Sequence, residues 1–102
     1  MVLSVGEDIG SISSFINKLI DAGYQHRDTV YDYGDYAVRG SIIDIYPLGS
    51  KNPYRIDLFD SEIHSIRTFD KDSQRSIIKI DRSLLVYIMH CFSCSYNMFV
   101  FF

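Results

Sequence analysis

Residues 53–59, "PYRIDLF", alternate without interruption: Tyr54, Ile56 and Leu58 fall on one side of an extended chain, Arg55, Asp57 and Phe59 on the other. Successive side chains leave a pleated backbone on opposite faces, so this run predicts a strand with one buried face. The second face is unusual, because a large aromatic shares it with an arginine and an aspartate. Pattern alone leaves two assignments open. Either Tyr54, Ile56 and Leu58 line a core and Phe59 is displayed, or a covering element lies over the Arg55–Phe59 face and the other set is the more exposed.

Similar runs flank this strand. Downstream come "DSEIHSIRTFD" (60–70), a polar turn "KDSQ" (71–74) and "RSIIKID" (75–81). Upstream, "SIIDIYP" (41–47) is closed by Pro47 and the loop "LGSKN" (48–52), "DYAVR" (35–39) stops at Gly40, and "DTVYDY" (28–33) stops at Gly34. All are rich in residues that fit strands. Their short connections favour antiparallel neighbours, since a parallel pair needs a longer crossover. Further upstream, Ile9, Ile12, Phe15, Ile16, Leu19 and Ile20 recur at three-and-four spacing. They predict an amphipathic helix from about Ser11 to Ala22, with Ser11 as N-cap and Gly23 in the left-handed position beyond its end. One N-terminal helix on a mainly antiparallel sheet of about five strands is an α+β domain.

Composition narrows the function classes. The chain has 102 residues, room for one domain, and a net charge of −3, so nothing marks a nucleic-acid binder. The glycines are single, with no dinucleotide fingerprint or phosphate-binding loop. His26, His64 and His90 are far apart, and no HExxH motif occurs. Asp44, Asp57 and Asp60 read as solvated strand-face charges rather than a catalytic pair. No enzyme, cofactor or resident metal is expected. Cys91 and Cys94 form a Cys-x-x-Cys spacing with only His90 nearby. A zinc site needs a second ligand pair, so the spacing reads as chance. No secretory signal opens the chain, and a cytoplasmic location is expected.

All Lys, Arg, Asp and Glu residues lie at or before Arg82; residues 83–102, "SLLVYIMHCFSCSYNMFVFF", carry none. Two readings of this tail stand. It is just long enough to cross a bilayer, although Ser83, His90, Ser93, Ser95 and Asn97 interrupt it, which makes a membrane span the weaker reading. Otherwise it is foreign to the design of the domain, as a truncated or frameshifted gene would produce.

The ordered motifs "LSVGEDI" (3–9), "LIDAGYQHRDTV" (19–30), "GDYAVRGSIIDIYPLGS" (34–50) and "NPYRIDLFDSEIHSIRTFDKDSQRSI" (52–77) carry a resemblance. From Val2 to Asp81 the chain resembles the UvrA-interaction domain shared by bacterial transcription-repair coupling factors and the excision-repair protein UvrB, and the last motif is closer to the coupling factors. The resemblance implies a small α+β module that binds UvrA, the damage-recognition ATPase of nucleotide excision repair. It further implies that Arg39, Arg55 and Phe59 carry the UvrA contact, with Asp57, His26 and Arg27 as secondary candidates. Residues 1–82 are then the module and 83–102 an off-family tail. The motor and polymerase-binding regions of the longer, ATP-driven translocases are absent, so RNA polymerase would be reached only through those missing parts. The alternatives are a small tail-anchored membrane protein and an inert product of a disrupted gene.

Overall fold

The computed structural model describes residues 2–80 and the backbone of Leu84 and Leu85. Its elements are β1 (Val2–Leu3), α1 (Ile12–Asp21), β2 (Gln25–His26), β3 (Asp35–Arg39), β4 (Ile42–Ile45), β5 (Tyr54–Phe59), β6 (Glu62–Phe69), β7 (Ser76–Ile80) and β8 (Leu84–Leu85). The class is α+β, as the sequence predicts. The helix matches the prediction to within its two capping residues, Ser11 and Ala22, and several details of the strands differ.

Helix α1 begins where Ser11 leaves the helical conformation and its Oγ accepts the Ser14 N–H at 3.1 Å. This cap answers one of the donors that every helix start leaves without an intrahelical partner. Ala22 closes the helix, and Gly23 follows at φ 96°, which a residue without Cβ adopts freely. Phe15 and Leu19 are buried and Ile12 and Ile16 pack partly against them. Ile20, predicted to join that stripe, is 52% exposed, so the packed face is narrower than the spacing suggests.

The main sheet runs β2-β3-β4-β5-β6-β7, with β2 parallel to β3 and every other pair antiparallel. Two-residue turns at Gly40–Ser41 and Asp60–Ser61 set Arg39 opposite Ile42 and Phe59 opposite Glu62. The register then lines up Val38, Ile43, Ile56, Ile66 and Ile80 across the face covered by α1. These residues, with Leu58, Ile63, Phe15 and Leu19, form the main core. Ile56 and Leu58 are almost completely buried, and Phe59 is 73% exposed. The first assignment of the two faces of β5 is therefore the observed one.

Residues 28–33, predicted as a strand, form a turn-rich loop instead. The carboxylate of Asp35 organises it, accepting the N–H groups of Tyr31 and Asp32 at 3.2 and 3.0 Å and approached by Arg27 Nε at 3.4 Å. Side-chain acceptors of this kind offer the backbone an alternative to a strand ladder. The loop sinks Val30 against Ala37, Tyr46 and Phe69 in a small second core on the face away from α1. The strand that occupies this edge is the unforeseen β2, joined to β3 through Gln25 N–H to Gly34 O at 2.7 Å and Arg27 N–H to Tyr36 O at 2.8 Å. The loop between β2 and β3 is shorter than an ordinary parallel crossover, which a strand of only two residues permits.

The edge of β6 opposite β5 is shared. From Ile66 onward β7 pairs with it, while nearer its start Gly6 N–H donates to Ile63 O, Ile63 N–H to Glu7 O and Ile9 N–H to Ser61 O, each at 2.8 Å. Outside the main sheet, β1 and β8 pair antiparallel, Val2 opposite Leu85 and Leu3 opposite Leu84. The rest of the tail, with His90, Cys91 and Cys94, lies outside the described residues.

Candidate protein-interaction surface

The face of the sheet away from α1 has a covered half and an open half, and Asp44 stands between them. Register places Ala37, Asp44 and Arg55 side by side on β3, β4 and β5. Asp44 is buried, 2% exposed, which corrects the expectation of a solvated strand-face charge. Its Oδ1 accepts from Arg55 Nε at 2.9 Å, and its Oδ2 accepts from Arg55 Nη2 at 3.1 Å and from Arg39 Nη2 at 3.0 Å. A carboxylate out of water is tolerable only with such charge-assisted bonds, and the Arg55 contact is the bidentate kind that a planar guanidinium makes well.

Arg55 is held from two further directions. Its Nη1 donates to Gln74 O at 3.1 Å, and its guanidinium carbon lies 4.4 Å from the centroid of the Phe69 ring. Gln74 adopts φ 64° to present that carbonyl, and its Nε2 donates to Val30 O at 3.3 Å, linking the β6–β7 turn to the loop. The Arg55 side chain is only 16% exposed. One N–H on each terminal nitrogen is left for a further acceptor.

Arg39 and Phe59 differ from it. The Arg39 side chain is 58% exposed and spends a single N–H on Asp44. Phe59 makes no core contact and projects from the end of β5 beside the turn at Asp60, whose φ is 56°. Asp57, half-buried, sits between Arg55 and Phe59 on the same face, opposite Ile42 and Ser65. Arg39, Arg55, Asp57 and Phe59 therefore share one face.

His26 and Arg27 do not join them. They lie toward the other end of β3, His26 level with Tyr36 and so about 10 Å along the strand from Arg39 at ordinary strand rise. His26 packs edge-on against Tyr36, ring centroids 5.5 Å apart, and Arg27 approaches Asp35. Beside them an open groove of about 700 Å³ is lined by Arg27, Asp28, Tyr31 and Tyr33 among others. Tyr33 packs edge-on against Tyr46 at 4.7 Å. The Tyr46 phenol is pushed up from its ordinary pKa, chiefly by burial and also by Tyr33 and Asp32 beside it.

The sequence reading missed Asp44, Gln74 and Phe69 as partners of Arg55. A signal for Asp44 was available: a two-residue turn at Gly40–Ser41 fixes Arg39 opposite Ile42 and so puts Asp44 diagonal to Arg39. Among the described residues no group of His, Cys, Asp or Glu is assembled as a metal site, and no helix is long and apolar enough to cross a membrane.

Two arginines around a buried aspartate and a displayed aromatic thus stand together on one face of the sheet. The family model for the UvrB interaction domain matches residues 1–88. The chain belongs to the UvrB interaction domain family. It is similar to the transcription-repair-coupling factor of Bacillus subtilis, 49% identical over 77 residues that make up 76% of this chain and 6% of that protein. The coupling factor of Escherichia coli is 43% identical over 81 residues, 79% of this chain and 7% of the relative. That of Staphylococcus aureus is 51% identical over 76 residues, 74% of this chain and 6% of the relative. This UvrB interaction domain thus spans less than a tenth of the length of the relatives it matches.

Proposed function

We propose that this UvrB interaction domain binds UvrA in the cytoplasm, as the recruiting module of transcription-coupled nucleotide excision repair, through Arg39, Arg55 and Phe59. The observation that carries the reading is the displayed Phe59, 73% exposed, on the same face as the Arg39–Asp44–Arg55 cluster. Arginine and aromatic side chains dominate interface energetics because each buries much area and adds a directed contact. Phe59 would enter an apolar pocket of the partner, while Arg39 and the free edge of Arg55 would meet acceptors there. Asp57 lies within the contact; His26 and Arg27 form a second patch that an extensive partner would reach. The binding unit is residues 1–82, with 83–102 making no contact with the partner although Leu84 and Leu85 pair with β1, and it has no catalysis of its own. ATP-driven translocation and the contact with RNA polymerase belong to other parts of the longer coupling factors.

The test is a calorimetric titration of UvrA against the wild-type chain and the Arg39→Ala, Arg55→Ala and Phe59→Ala variants, with melting curves run alongside. Weakened binding by folded Arg39→Ala and Phe59→Ala supports the reading. Unchanged affinity in both would remove it.

A further inference from the structure

The row of side chains that contains Arg55 continues past it. Arg55 stands opposite Arg67 on β6, and Arg67 stands opposite Lys79 on β7. Directly paired residues share a face, so three cations stand side by side, about 5 Å from rung to rung. Like charges placed opposite one another destabilise an antiparallel pair. Asp44 answers Arg55, whereas Arg67 and Lys79 are exposed and have no ion pair or side-chain hydrogen bond among the described residues. The chain has acids to spare, with a net charge of −3, yet among the described residues none pairs with Arg67 or Lys79.

We propose that Arg67 and Lys79 extend the docking face across β6 and β7, and that the partner meets them with an acidic strip of protein surface. The location of the face rests on the reading given under Proposed function; the ladder and its missing counter-charge do not. A protein surface fits better than a nucleic-acid backbone for one reason. The same face displays the apolar ring of Phe59, 73% exposed, which a protein surface can bury and a phosphate backbone cannot. Charges at the rim of an interface act mainly on the rate of association and its salt dependence.

The experiment uses the full 102-residue chain, a doubly reversed variant (Arg67→Glu with Lys79→Glu) and a neutral one (Arg67→Gln with Lys79→Gln). The probes are UvrA, poly-L-glutamate and a short duplex DNA. Poly-L-glutamate is expected to bind the wild type at low salt, with affinity falling about threefold in the neutral variant and about tenfold in the reversed one. UvrA association should slow in the same order, with the differences closing at high salt. The neutral variant should melt above the wild type, because it relieves the repulsion along the ladder; it also carries the test if the reversed variant fails to fold. Poly-L-glutamate binding that ignores both variants, or duplex DNA binding more tightly than poly-L-glutamate, would overturn the inference. If UvrA ignores the wild type while poly-L-glutamate still senses the ladder, the acidic partner stands and its identification as UvrA falls.

Discussion

Arg55 and Phe59 stand on the same face of β5, four residues apart, yet their surroundings are opposite. At the Arg55 end the face is roofed by the loop 27–34, and the guanidinium is gripped by Asp44, Gln74 and the Phe69 ring. At the Phe59 end nothing covers the ring. A residue of the first kind cannot be removed without disturbing the fold, because Asp44 would remain buried with Arg39 alone. A residue of the second kind can. The contrast shows that two side chains of equal promise as binding hot spots can carry different structural burdens, and that mutational loss of binding has to be read differently at each.

Arg55→Ala should therefore give the largest effect, about 3 kcal/mol of lost stability in urea denaturation, the scale for breaking one side of a buried ion pair. Loss of the stacking contact with Phe69 adds to it. An arginine on an open strand face would cost little to remove; the buried clamp makes Arg55 different. Arg55→Lys should rescue little, since an ammonium cannot engage both carboxylate oxygens and the Gln74 carbonyl in the same planar geometry. A variant that melts with the wild type would erase the distinction between the two ends.

Phe59→Ala sharpens it from the other side. The cost should fall on UvrA binding, about 2 kcal/mol, with stability changed by less than about 0.5 kcal/mol. A destabilisation of several kcal/mol would mean the ring is part of the core. Arg39→Ala should come next, with about 1 kcal/mol lost in each measurement, because its side chain is 58% exposed and its one bond to Asp44 is partly screened.

The smallest effects concern regions away from β5. Chains ending after residue 82 and after residue 88 should differ by about 1 kcal/mol or less, the scale of a few exposed backbone hydrogen bonds, because only the longer one keeps β8 opposite β1. Hydrogen exchange at Leu3 would show the difference; collapse of the whole sheet in the shorter chain would move the end of the module beyond residue 82. At high pH, Tyr24 and Tyr46 both have phenols raised by burial, so the unfolded chain loses those protons first. Stability should be intact below about pH 10, the ordinary phenol value, and fall as pH rises beyond it. Melting curves across that range check the sign.

Much of this arrangement was legible in the chain. Ser11 and Gly23 mark the ends of α1 because caps are local chemistry, and alternation in 53–59 gives both faces of β5 because a pleat imposes it. The loop 27–34 was not legible. Thr29, Val30, Tyr31 and Tyr33 favour strands only where a neighbour exists to pair with, and here Asp35 draws the local N–H groups to itself instead. The clamp on Arg55 was hidden for a different reason. Its partner on β4 depends on a register set across the loop 46–53, and Gln74 arrives from a turn nearly twenty residues further on, neither of which spacing reveals. Arg39, Arg55 and Phe59 were singled out by resemblance; that Arg55 is the least accessible of them emerged only from packing.

The pairing of β1 with β8 has a mechanical consequence. Val2 faces Leu85 and Leu3 faces Leu84, so the strands run in and out side by side at one corner of the molecule. A pull applied through residues 2 and 85 would load the backbone bonds of this pair one after another, as when a zip is opened, rather than all together in shear. The pair would part first and at low force, leaving the six-stranded sheet and the face that carries Phe59 unloaded. Whatever pulls on these two strands meets a tether that yields before the six-stranded sheet is distorted.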